Sequence, residues 1–257
     1  MRVATIAVHT FKESVRQKVL YNLVAFALLL IGAAVLFGSI SVGVEQIILV
    51  TLGLSSISVF GLLMAIFIGI DLVSKEIERR TIYNVLSKPV TRAEFILGKY
   101  LGLLLTLFVN TAIMTVGFYA ALFYQKRTLG HGDLVFLGAV YFILLQLAMV
   151  VGIAVVFSCI STPVLSAVYT FCLFVIGNFS SDLRAFGQGS EAPVLGMLAD
   201  ALYYALPNFA DFNVITRVAH TQSIPAYLWL GNSFYALLYL AILLGLAILI
   251  FEEREFR

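Results

Sequence analysis

Residues able to do chemistry are few in this sequence and stand far apart. His9, His131 and His220 have no partner at the spacings that zinc sites use. Cys159 and Cys172 flank the start of an apolar run and read as small apolar fillers. No G-x-S-x-G elbow or H-E-x-x-H pair occurs. A phosphate-cradling loop needs G-x-x-x-x-G-K-[ST], but Gly98-Lys99 is followed by Tyr100 and position 93 is Ala93. Catalytic, cofactor and metal sites are therefore not expected in the chain, which is read as no enzyme by itself.

The one stretch with concentrated polar chemistry is Asp71 to Lys99, DLVSKEIERRTIYNVLSKPVTRAEFILGK. It holds six of the sixteen basic residues and lies between two runs apolar enough to cross a bilayer. Leu72, Val73 and Ile77 fall on a different helical side from Ile82, Val85 and Leu86, which places a break near Arg80 and Thr81. The second apolar run thus continues into water to about Arg79, and a short amphipathic helix follows from Ile82 to Ser87. Lys88 and Pro89 end it, because the residue before a proline is pushed out of helical geometry. Thr91 and Glu94 then make a T-x-x-E capping box, with Val90 and Phe95 at the staple positions, so the next helix starts near Arg92.

The elements that must hold this stretch are membrane helices. The 257 residues are 61% hydrophobic and 12% charged, with mean hydropathy +1.03, against about 25% charged in soluble domains. The expected fold is all-α and polytopic, a single transmembrane domain. Six spans are expected at about 19–40, 47–70, 100–124, 134–158, 164–179 and 227–251, the fifth of them short. Before them, Val3, Ile6, Ala7, Phe11 and Val15 recur at helical steps opposite Arg2, Thr5, His9, Lys12, Glu13 and Arg16, which suits an N-terminal interfacial helix. The loop at 180–226 contains a further apolar helix, Val194 to Leu206, bounded by Pro193 and Pro207.

An even number of spans puts both termini and the 71–99 loop on one side, with twelve basic residues there and four opposite. That side is expected to be cytoplasmic. The net charge of +2 gives no reason to expect nucleic acid as a partner.

Glu78, Thr81, Leu86, Pro89-Val90-Thr91-Arg92 and Gly98-Lys99 resemble, in order and spacing, the loop between spans two and three of the ABC-2 family of transporter permeases. The run E-R-R-T-I-Y-x-V-L-S-K-P-V is most similar to the branch that includes the copper-site maturation permeases of nitrous oxide respiration. Leu206-Pro207-Asn208-Phe209 and Phe212-Asn213 look like that branch too. Many relatives have Gly where Arg80 stands, a departure that bears on the turn into the short helix.

The resemblance implies an ATP-driven transporter, in the exporter direction, of the bacterial inner membrane. A cytoplasmic coupling helix would seat in a cleft of a separate ATP-binding subunit, which would hold the ATP and Mg. Glu78, Thr81, Ile82, Tyr83, Val85, Leu86, Pro89 and Arg92 are the residues it places at that contact. It further implies two ATPase copies, a second permease copy as homodimer partner, and lipid around the assembly. The 180–226 region is left for an outer-side accessory protein. A membrane anchor or assembly scaffold for an ATPase remains the alternative reading.

Two further sets follow from the spans themselves. Gly61, Ala65 and Gly69 form a small-residue stripe fit for close helix packing, within one chain or between two; Gly98 and Gly102 form another. Asn110, Gln146 and Asn178 are polar residues at depth that tie helices together or line a path. No charged residue sits at the centre of a span, which disfavours a proton-coupled carrier.

Overall fold

The computed structural model describes residues 2–41, 43–78, 91–128, 130–188 and 193–253. Among these the chain is helical, without strands. The helices are α1 (Arg2–Val15), α2 (Lys18–Ile40), α3 (Glu45–Glu78), α4 (Arg92–Lys126) and α5 (Val135–Ile160). After them come α6 (Pro163–Asn178), α7 (Ser180–Gln188), α8 (Pro193–Ala205), α9 (Ile215–Ala219) and α10 (Ala226–Glu253). The chain is thus an all-α polytopic membrane protein. Among the described residues, five helices are long and apolar enough to cross a membrane: α2, α3, α4, α5 and α10. The sixth apolar helix, α6, has 16 residues and reaches about 24 Å at 1.5 Å per residue.

The breaks between helices have local causes. At the end of α4, Arg127 adopts a left-handed backbone with φ of 61°, and its N–H closes on the Phe123 carbonyl. Pro163 opens α6 at the first helical position, where its missing N–H costs nothing. Both α3, at 34 residues, and α4, at 35, exceed the roughly 20 residues that a bilayer core needs. Their excess lies at the 71–99 end, where α3 runs on to Glu78 and α4 starts at Arg92.

Helix α5 is the centre of the packing. Its sequence is apolar on every side, and 72% of its most apolar window is buried, against 28% for α2 and 22% for α10. The glycine stripe of α3 faces it. A Cβ added at Gly61 would come within 2.5 Å of Leu147 Cδ1, and one at Gly69 within 2.5 Å of the Ala154 Cβ. Ala65, between them, is completely buried. The Gly61, Ala65 and Gly69 face is therefore filled by α5 of the same chain. Gly53 receives the Phe118 ring of α4 in the same way, and Gly117 of α4 receives Leu28 of α2. Tyr100 of α4 adds a polar tie, its hydroxyl donating to the Ala148 carbonyl of α5 at 3.0 Å.

Two clusters of contacts define the two ends of the bundle. At the 71–99 end, the start of α4 meets α1 and the last turn of α10. At the other end, Gly177 of α6 meets Pro207 and Phe209, and Gly138 of α5 meets Ile224 and Trp229. The last turns of α2 and α4 also meet there, Gln125 lying against Gly38.

The packing yields a direct prediction. Gly69→Ala presses a methyl onto a Cβ that has no rotamer to move, so it should destabilise the bundle by about 1–3 kcal/mol. Gly32→Ala, where nothing lies within 4 Å, should be neutral. Thermal unfolding of the two variants in the same detergent compares them.

Candidate functional site: the end that carries the central loop

Helix α4 begins with a closed capping box. The Glu94 N–H donates to Thr91 Oγ1 at 3.2 Å, and the Thr91 N–H donates to Glu94 Oε2 at 3.0 Å. Two of the otherwise orphaned donors at the helix start are satisfied, and the chain's exit from the loop is fixed in direction.

Arg92, one residue on, reaches across to the last span. Its Nη1 donates to the Phe251 carbonyl at 2.9 Å and to the Glu252 carbonyl at 2.7 Å. These are carbonyls of the final turn of α10, where the helix dipole is negative and intrahelical partners run out. The Phe95 ring stacks on Phe251 with centroids 6.1 Å apart, and Lys99, itself buried, lies over the Phe95 ring at 5.0 Å. A guanidinium cap and an aromatic pair thus fasten the start of α4 to the end of α10.

The N-terminal helix is fastened to the same place. A Cβ at Gly98 would meet Ile6 at 2.8 Å and the Val3 carbonyl at 3.0 Å; one at Gly102 would meet the Ala7 carbonyl at 2.5 Å. The second small-residue stripe therefore seats α1, whose backbone lies almost against α4.

This seating corrects the two-sided reading of α1. At about 100° per residue the helix has three faces. Val3, Ile6 and Ala7, with the buried Thr10 and Ser14, turn to α4. Ala4, Val8, Phe11 and Val15 form a separate apolar face, on which Val8 is 48% exposed. Arg2, Thr5, His9 and Lys12 form the third, also exposed. One face is thus covered by α4, one is apolar and one is polar and exposed.

Of the residues expected at the loop, Glu78 closes α3 and Arg92 opens α4. Thr81, Ile82, Tyr83, Val85, Leu86 and Pro89 lie outside the described residues. The polar residues at depth are not gathered into one place. Asn110 Nδ2 donates to the Thr106 carbonyl and Asn178 Nδ2 to the Phe174 carbonyl, each four residues back on its own helix. Gln146 is buried on α5, 4% exposed.

Residues 4–256 match the family model described as an ABC-2 family transporter protein. The chain belongs to the ABC-2 family. It is a multi-pass membrane permease of the ABC transporter class, and the family pairs such permeases with an ABC ATP-binding subunit. A search of curated proteins finds no match to this permease.

At the opposite end the permease has a polar cluster that the sequence reading did not assemble. Asn208, 7% exposed, sits at its centre. Its Oδ1 accepts from Ser180 Oγ at 3.1 Å, and its backbone N–H donates to the Tyr235 hydroxyl at 3.1 Å. Its Nδ2 donates to the Tyr203 hydroxyl at 3.2 Å and to Asp211 Oδ2 at 2.7 Å. Asn232 of α10 donates to the Asp211 carbonyl at 2.8 Å. The Leu206-Pro207-Asn208-Phe209 run was visible in the sequence, but its partners come from α7, α8 and α10, up to 28 residues away.

Burial pushes the Asp211 carboxyl above the usual carboxylate range. The folded state then binds this proton more tightly than the unfolded state does. Stability from this group is full at low pH and falls as pH rises from about 4 through the raised value. Asp211→Asn should remove that decline, which paired unfolding curves between pH 4 and 7 would reveal.

Arg92→Ala leaves the last carbonyls of α10 uncapped and should cost about 1–2 kcal/mol. Arg92→Lys, with a single ammonium in place of the planar fork, should recover only part of that. Detergent-solubilised thermal unfolding distinguishes the three proteins.

Proposed function

We propose that this permease is the membrane half of an ATP-driven exporter in the bacterial inner membrane, working as a homodimer over two separate ATPase subunits. The 71–99 end faces the cytoplasm, in keeping with its share of Lys and Arg. The chain crosses six times, α6 being the short fifth crossing. In support, α6 leaves from a turn after α5 and ends against Pro207 and Phe209, near the start of α10.

The observation that carries this reading is the joining of three helices at the loop's exit. Because α4 is capped at Thr91, fastened to α10 through Arg92 and seated on α1 through Gly98 and Gly102, a push on the loop moves one body. The coupling residues Glu78, Thr81, Ile82, Tyr83, Val85, Leu86 and Pro89 receive that push from an ATPase cleft. ATP-driven closure of the ATPases draws the two loops together and shifts each bundle between two packed arrangements. The homodimer seam lies away from the Gly61 to Gly69 face, which α5 occupies. ATP and Mg are bound by the partner, since the permease has no phosphate loop.

The test is a pull-down of the permease from its native membrane beside a variant with Ile82→Asp, Val85→Asp and Leu86→Asp. An ABC ATPase should accompany the natural chain and be lost with the variant. If no ATPase accompanies either chain, the coupling role is wrong and the loop serves only to set topology.

A further inference from the structure

At the end of the bundle away from the central loop, the 206–213 segment folds over the start of α10. It leaves a cavity of about 280 Å³ lined by Tyr203, Asn208, Asp211, Phe212, Asn232 and Tyr235. The lining is chemically one-sided. Among these six described residues three are aromatic, one is a carboxylate, and none carries positive charge. The amide donors are largely spoken for: Asn208 Nδ2 donates twice, to Tyr203 and Asp211, and Asn232 Nδ2 donates to the Asp211 carbonyl.

What the cavity offers a guest is therefore a carboxylate edge, aromatic rings and two phenol hydroxyls, each of which already accepts one hydrogen bond from Asn208. An anion would meet Asp211 without a compensating cation. A purely apolar guest would strip water from that carboxylate and give nothing back. An ammonium group, by contrast, is attracted both by the carboxylate and by the negative faces of aromatic rings. Arg184 stands beside the cavity, its guanidinium over the Tyr203 ring at 4.5 Å and its Nε donating to Asp200 at 2.8 Å.

We propose that this cavity binds an ammonium group. Asp211 supplies the countercharge, and Tyr203 and Tyr235 supply the rings. Asn232 and Tyr235 lie about 9 and 14 Å along α10 from its first residue, close to where an apolar helix meets the headgroup layer. The guest is accordingly a soluble organic amine or the headgroup of an amine-bearing lipid. The site belongs to this chain alone and does not depend on the ATPase pairing.

The experiment uses the purified full chain in detergent, with choline chloride and ethanolamine hydrochloride as probes and sodium chloride at equal ionic strength as the blank. Saturation-transfer NMR should show saturable binding of at least one probe. Asp211→Asn, which keeps the shape of the side chain, should weaken it about tenfold or more. Tyr203→Leu serves as the second variant should Asp211→Asn fail to elute as a single species.

A parallel arm uses native mass spectrometry from nanodiscs of equal phosphatidylethanolamine and phosphatidylglycerol. Selective retention of the former, lost in the variant, identifies a lipid headgroup. Probe binding without selective retention identifies a soluble amine. Absence of saturable binding together with absence of selective retention overturns the proposal, as does undiminished binding in a folded variant. No ATPase takes part, so failure here is distinct from failure of the pull-down.

Discussion

The structure depends on how closely its helix backbones approach one another. Between membrane helices there is little hydrophobic drive, because lipid tails are as apolar as the side chains they replace. Association rests on van der Waals contact, which falls away steeply with separation. Gly61 and Gly69 let α3 lie against α5, and Gly98 and Gly102 let α1 lie against α4. With α3 and α5 joined in this way, α2 and α10 remain at the periphery, mostly uncovered by the rest of the chain.

The two ends of the bundle are built on different principles. At the central-loop end, beside the Phe95–Phe251 ring pair, the ties are to backbone: Arg92 to the carbonyls of α10, and glycine faces to the carbonyls of α1. Such contacts depend on where helices lie and little on which side chains they bear. The opposite end is tied through side chains, with Asn208 bonded to Ser180, Tyr203, Asp211 and Tyr235.

The difference also explains what could be read in the sequence. The start of α4 was legible because Thr91 and Glu94 are partners three residues apart, and the apolar helix between Pro193 and Pro207 because prolines mark its ends. The tie from Arg92 to α10 is not legible, since its partners are two main-chain carbonyls that no residue type announces, some 160 positions later. Thr10 is hidden for a similar reason: it faces Gly102, which leaves no pattern on the opposing helix. For Gly61, Ala65 and Gly69 the spacing showed a packing face but not what filled it, and the central loop's own residues stay a matter of sequence.

The Arg92 contact has a consequence for biosynthesis. It joins residues some 160 positions apart, and the helix that receives the guanidinium is synthesised only after α4 and five further helices. Until α10 has been inserted, the start of α4 holds only α1 and its own cap. Completion of that end of the permease therefore waits on α10, and a polypeptide cut short between α4 and α10 presents the membrane's quality-control proteases with Arg92 and Phe95 lacking Phe251 and Glu252.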